Sequence, residues 1–160
     1  NNFIINRLDL SPDSKNLSVL VFLSGYERAY LTLFEWSFIG VGFQQMGVVG
    51  PLGDIQSSIE LIVGSTMNLL DGSTLFSKIT TEFGVFGIVV VLVYLQKYWF
   101  TLRRITELDE NSPFELFYTI CFLAFFVMFF LRGVGYFSPS SFLFIIALIG
   151  LKRVRKNNVR

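Results

Sequence analysis

The chain lacks histidine altogether and has one cysteine and four prolines among its 160 residues. Without histidine, this stretch has no His-ligated metal, no imidazole base and no Ser-His pair. Cys121 has no disulfide partner. Its place in a Phe- and Leu-rich run makes it a small packing hydrophobe and says nothing about redox compartment. Charge is also scarce: 16% of residues are charged, against 52% hydrophobic and 17% aromatic. With a mean hydropathy of +0.59, the chain is more apolar than an ordinary soluble domain and belongs in a bilayer. It opens on Asn1-Asn2 rather than Met and is read as a piece of something longer, one unit at most. No internal repeat or low-complexity tract is visible, and no nucleic-acid partner is expected.

Three apolar stretches can be measured against the roughly 20 residues that a helix needs to cross about 30 Å of hydrocarbon. Phe83 to Gln96 carries no charge and reaches Phe100 if Lys97 snorkels. Leu116 to Leu131 lies between Glu115 and Arg132. Gly133 to Leu151 contains Pro139, so its helix starts near Ser138 and runs a little past Lys152. The predicted spans are therefore about 82–100, 114–131 and 138–153. Lys97, Arg103 and Arg104 follow the first span, and Lys152, Arg153, Arg155, Lys156 and Arg160 lie in the tail. These eight of the thirteen Lys and Arg residues belong on the cytoplasmic side by the positive-inside bias. Residues 1–82 then form a long extracytoplasmic segment with amphipathic or interfacial helices, and 152–160 a basic cytoplasmic tail. The fold class expected is an all-α membrane protein, a fragment of a multi-spanning helical bundle. Ile105 to Pro113 reads as a polar cytoplasmic turn, and Gly47 to Gly53, rich in glycine and holding Pro51, as a loop.

The outer segment holds most of the candidate chemistry. Glu27 to Phe38 suits an amphipathic helix on which Arg28, Thr32 and Glu35 share a face. That face is either a solvated stripe on an interfacial helix, or it turns Arg28 into a cavity to hold an anion. Gly40-Val-Gly42-Phe-Gln44-Gln45-Met-Gly47 superficially matches a dinucleotide fingerprint. The sixth position is Gln45 and no βαβ unit surrounds it, so that reading is rejected. The glycines either end the preceding helix or bring backbone N–H groups close to a ligand. Asp71-Gly-Ser73-Thr precedes a helix over Leu75 to Glu82 that continues into the first span, with Ser73 or Asp71 as its cap. Lys78 and Glu82, four apart, read as a weak exposed pair. Arg132-Gly-Val-Gly-Tyr136-Phe-Ser-Pro139 forms the outer turn before the last span. There Arg132 either sits among lipid headgroups or converges with Arg28 on a pyrophosphate, whose oxygens suit a guanidinium fork.

The order of Arg28 on an outer amphipathic helix, Gly40-Val-Gly42-Phe43, a loop, and Asp71-Gly-Ser-Thr-Leu-Phe-Ser-Lys-Ile-Thr-Thr-Glu82-Phe-Gly84-Val-Phe-Gly87 entering a span resembles the C-terminal half of bacterial O-antigen polymerases. The turn from Arg132 to Pro139 is similar to the one before their last span, and the likeness runs from about Arg7 to Leu151. The resemblance implies a multi-pass inner-membrane glycosyltransferase with its active site facing the periplasm. Such an enzyme takes a growing glycan from undecaprenyl pyrophosphate and transfers it to another lipid-linked repeat unit, with no metal, nucleotide sugar or other cofactor. Its partners are the undecaprenyl-pyrophosphate-linked oligosaccharide, membrane lipid and a chain-length regulator protein. Arg28 is then the catalytic cation at the leaving pyrophosphate, and Asp71, Glu27 and Glu82 compete to take the acceptor proton. Arg132, Gly40, Gly42, Gln44, Gln45 and Tyr136 are assigned to substrate binding. The related O-antigen ligases place a histidine near the position of Ser73, nine residues ahead of the glutamate matching Glu82. Its lack here favours a polymerase over a ligase. No DxD motif lies on the outer side, and Glu107-Leu-Asp109 falls on the wrong one. A transporter or flippase fragment for lipid-linked glycans would want polar residues at mid-depth, and Phe83 to Leu131 offers almost none.

Overall fold

A computed structural model describes residues 16–105, 113–132 and 135–158. Among them the chain is helical, with one isolated bridge between Met46 and Val49. Asn1 to Lys15, most of the predicted cytoplasmic turn and Gly133-Val134 lie outside the described residues.

Helix α1 spans Leu17–Leu31 and runs on into a π-helical turn over Thr32–Trp36. Asn16 caps it, the Oδ1 accepting from the Ser18 amide at 3.1 Å. The apolar stretch at its start and the amphipathic piece after it are therefore one helix, ended where Ser37 turns extended. Helix α2 covers Asp54–Val63 and stops at Gly64, which is left-handed. Helix α3 covers Leu75–Phe83. Its cap is Thr74, not Ser73 or Asp71: Thr74 Oγ1 accepts from the Ser77 amide at 3.1 Å while Ser77 Oγ accepts from the Thr74 amide at 3.3 Å. That reciprocal pair satisfies two amides that a helix start would otherwise leave open.

The expected continuous helix from Leu75 into the first span is broken at Gly84, whose φ of 56° and ψ of −129° no helix adopts. The break leaves the last carbonyls of α3 without helical partners, and the segment 38–42 supplies them. Val41 N donates to Thr81 O at 3.0 Å and Gly42 N to Glu82 O at 2.9 Å, while in the other direction Phe38 O accepts from Val85 N, the first amide after the break, at 3.0 Å.

Beyond the break, α4 (Val85–Arg104) and α5 (Pro113–Phe130), of 20 and 18 residues, are long and apolar enough to cross a membrane. Helix α6 runs Pro139–Asn158. Proline suits its first position, where no amide is needed, and Ser138 Oγ accepts from the Ser141 amide at 3.2 Å. The uncharged part of α6 stops at Lys152, so α6 does not meet the measure that α4 and α5 meet. The core lies where the three helices join, around Tyr94, Phe122, Phe125, Phe129 and Ala147. Ring contacts step Tyr94 against Phe129 (4.8 Å) and Tyr98 against Phe126 (4.9 Å), so α4 and α5 are antiparallel. Phe144 stacks on Phe125 at 4.1 Å and Gly150 lies against the Tyr118 ring, which sets α6 antiparallel to α5 as well.

The outer layer sits on the C-terminal end of α5. Tyr26 OH donates to Phe130 O at 2.8 Å, and Phe76 lies between the Tyr26 and Phe130 rings. Polarity here runs opposite to that of a soluble domain. Thr32, Thr74, Ser77, Thr80, Thr81 and Glu82 are at most 1% exposed, whereas Phe34, Leu61, Phe86 and Ile149 are exposed.

Candidate functional site

Arg28 is 5% exposed, because α1 turns the face bearing Ser24, Gly25, Arg28 and Thr32 inward. Its Nη2 donates to Val49 O at 3.1 Å and its Nη1 to Leu69 O at 3.4 Å, while Nε has no partner. Among the described residues no carboxylate lies within ion-pair distance of it, and burial pulls its pKa down. The cavity beside it, about 10 Å³, has room for one water-sized sphere and no phosphate. The solvated-stripe reading is thus overturned for Arg28 and Thr32, and only Glu35 of the three is exposed. Arg28 ties the loop around Val49 to the loop around Leu69. Arg28→Lys is expected to weaken that tie by about 1–3 kcal/mol, since one ammonium replaces a planar fork reaching two carbonyls. Faster hydrogen exchange of the 48–53 amides, at unchanged overall helix content, would show it.

Glu27 is committed elsewhere. Its Oε1 accepts from Asp54 N at 3.0 Å and its Oε2 from Ile55 N at 3.1 Å, so it caps α2, which has no capping side chain of its own. A carboxylate at that positive helix end is well placed. Burial pushes its pKa up, and the two amide bonds oppose the shift.

Glu82 is also enclosed, in a cluster that overturns the exposed-pair reading. Lys78 Nζ lies 3.7 Å from Glu82 Oε1 with side chains 4% and 0% exposed, and it donates to Leu70 O. Tyr136 OH donates to Glu82 Oε2 at 2.7 Å, and its ring lies 5.3 Å from Lys78 Nζ and 5.6 Å from the Phe43 ring. Burial raises the Tyr136 pKa, and the bond to Glu82 and its charge raise it further. Tyr136 is therefore a strut between α3 and the turn before α6.

The glycines dock backbone on backbone. At Gly40 (φ 95°) a Cβ would stand 2.5 Å from Glu82 O; the Gly40 amide donates to Ser37 O and the Gly42 amide caps α3 at Glu82 O, so both amides are already used within the fold. Gln44 and Gln45 are exposed in the following turn, where the Gln45 carbonyl accepts from Val48 N and Val49 N, both at 3.0 Å.

An open cleft of about 740 Å³ lies between the first turn of α1, the loop at 67–73 and the end of α5. Arg132, exposed, stands at its edge, with Asn68 and Ser73 on the facing loop. Both are non-glycine residues with positive φ, 53° and 64°, a conformation that costs about 1–3 kcal/mol where it is held. Several groups hold it. Arg28 takes Leu69 O, Lys78 takes Leu70 O, Ser73 Oγ donates to Val21 O, and Met46 packs under Gly72. Asn68 lines both this cleft and the small cavity at Arg28, so Arg28 stands behind the wall that Arg132 faces. Asp71, exposed, is carried by the same loop.

The structure thus brings Arg132 and Ser73 to one cleft, leaves Asp71 on the same loop but outside the cleft lining, and keeps Arg28, Glu27 and Glu82 out of it. Sequence reading missed Asn68 and Met46. Asparagine's tolerance of left-handed backbone was the available signal for the first, and nothing local marked the second. Comparison of the chain with protein-family models, with curated proteins and with solved structures returns no match.

Proposed function

We propose that this chain is part of a multi-spanning O-antigen polymerase whose glycosyl transfer takes place at the Arg132 cleft, on the periplasmic face of the inner membrane. Two features support a bilayer setting. In α4 and α5 only 22% of the apolar window is buried, so most of each helix needs an apolar surrounding that the described residues do not supply. Lys97, Arg104 and Lys152 fall at one end of the antiparallel bundle and the Arg132 cleft at the other, which agrees with a cytoplasmic and a periplasmic end. Helix α6 is then the third span, with Lys152 snorkelling.

The observation that carries the reading is that Ser73 and Arg132 line the same cleft. This is the position near which the ligases of the resembling superfamily place their histidine. In the proposed reaction the Arg132 guanidinium and the positive end of α1, whose first residues line the cleft, hold the donor pyrophosphate. The acceptor hydroxyl oxygen bonds to the anomeric carbon as the bond from that carbon to the pyrophosphate oxygen breaks. Asp71, two residues from Ser73 on the cleft's loop and the exposed member of the three carboxylate candidates, swings in to take the hydroxyl proton, and the pyrophosphate leaves as an anion. Arg28 acts as a positioning residue behind Asn68.

Arg132→Ala is expected to lower polymerisation by about 10²–10³-fold, the loss typical of removing one anion-stabilising donor, with normal insertion of the protein. Asp71→Asn should lower transfer while crosslinking to lipid-linked glycan persists. A normal ladder of long O-antigen chains from Arg132→Ala at wild-type protein level overturns the assignment.

A further inference from the structure

A second groove, of about 720 Å³, opens at the opposite end of the bundle between α4 and α6, with Phe122 of α5 at its floor. Lys97, Thr101 and Arg104 face it from α4, one and two turns apart on a single helix face, and Lys152 faces it from α6. The three cations are exposed, and none pairs with a carboxylate among the described residues. The rest of the groove is apolar, from Phe100, Leu148, Ile149 and Leu151. Arg104 also lies in the last turn of α4, where it complements the helix dipole. Lys97 is two turns earlier, where that explanation fails.

From this pairing of a cation triad with an apolar trough between two membrane-type helices, we infer a binding site for one anionic glycerophospholipid. Its phosphate is held by Lys97, Arg104 and Lys152, and an acyl chain lies on Phe122, Leu148 and Ile149. The level fits a headgroup, because Trp99, at the same height on another face of α4, is 53% exposed, with Arg103 4.8 Å over its ring. Amphipathic aromatics of this kind collect at the membrane–water boundary, and basic pockets between spans on the cytoplasmic side take anionic lipid. Three cations converging on one groove give a local attraction that isolated surface charges, screened over about 10 Å in 0.1 M salt, do not. The site rests on α4 and α6 lying in a bilayer and is independent of the glycan chemistry.

The test is native mass spectrometry of the chain in detergent with phosphatidylglycerol or phosphatidylcholine at equal concentration. The expected result is one retained phosphatidylglycerol, preferred at least tenfold. The triple variant K97A/R104A/K152A, which changes exposed side chains only, should lose that preference. The control R103A/R153A, removing two exposed cations outside the groove, should keep it within twofold. Leu148→Trp, filling the groove with all charges intact, should release the lipid. Equal retention of both lipids overturns the site, as does a control variant that loses as much as the triple variant. Displacement of phosphatidylglycerol by equimolar undecaprenyl phosphate would make the groove a substrate-lipid site and also overturn the assignment.

Discussion

Exchanging Glu82 for alanine is expected to cost about 3–5 kcal/mol of stability, the price of breaking a buried ion pair from one side. The Lys78 ammonium would remain 3% exposed with a carbonyl and a ring face as its only company. Tyr136 would lose the acceptor of its 2.7 Å bond at the same time, so the outer layer and the turn before α6 would come apart together. Tyr136→Phe removes one hydrogen bond to a charge and should cost about 1.5–3 kcal/mol. Replacing both charges, as Lys78→Met with Glu82→Leu, should recover much of the loss, because no buried charge is then left alone. Thermal unfolding of the four proteins in one detergent measures the series. A wild-type midpoint for Glu82→Ala would show that the cluster is hydrated and structurally idle.

Gly84→Ala is expected to undo the seam between α3 and α4. At its φ of 56° and ψ of −129° the backbone conformation alone costs an L-residue about 1–3 kcal/mol. The new Cβ would also collide with Phe38 O and stand 2.6 Å from Gly40 N. Either α3 and α4 shift or the 38–42 segment lifts off, and with it go the bonds that Val41 and Gly42 donate to the end of α3. The expected readout is fast hydrogen exchange at Val41 and Gly42 while α4 stays protected. Gly40→Ala strikes the same seam from the other side, so the double variant should cost less than the sum of the two. Unchanged protection at Val41 in Gly84→Ala contradicts this account of the seam.

The membrane-type helices were legible because they are governed by composition and length: an uncharged run from Phe83 to Gln96 can be found without knowing what it touches. The start of α6 was legible in Ser138-Pro139, whereas its end was not, since the helix runs past the expected 153 to Asn158. The break at Gly84 was not legible either. A glycine between a helical pattern and an apolar run looks like an ordinary helix residue until another backbone is found lying against it. Arg28 stood out as unusual in the sequence, but its burial under the loops at Val49 and Leu69 did not show there. Periodicity grouped it with Glu35 on a helix face but carried no information on whether loops would close over that face.

The carboxylates were separated by partners distant in sequence. Glu27, Asp71 and Glu82 were equivalent candidates as residues. They diverged only when Glu27 met the start of α2, Glu82 met Lys78 and Tyr136, and Asp71 met nothing that buried it. An amino-acid sequence settles quantities that add up along the chain, and here those were apolar length, charge placement and the lack of an imidazole. Burial and pairing depend on which segments arrive at the same place, so the cleft at Arg132, the enclosure of Arg28 and the basic groove at the far end of the bundle came from the packing of helices and loops.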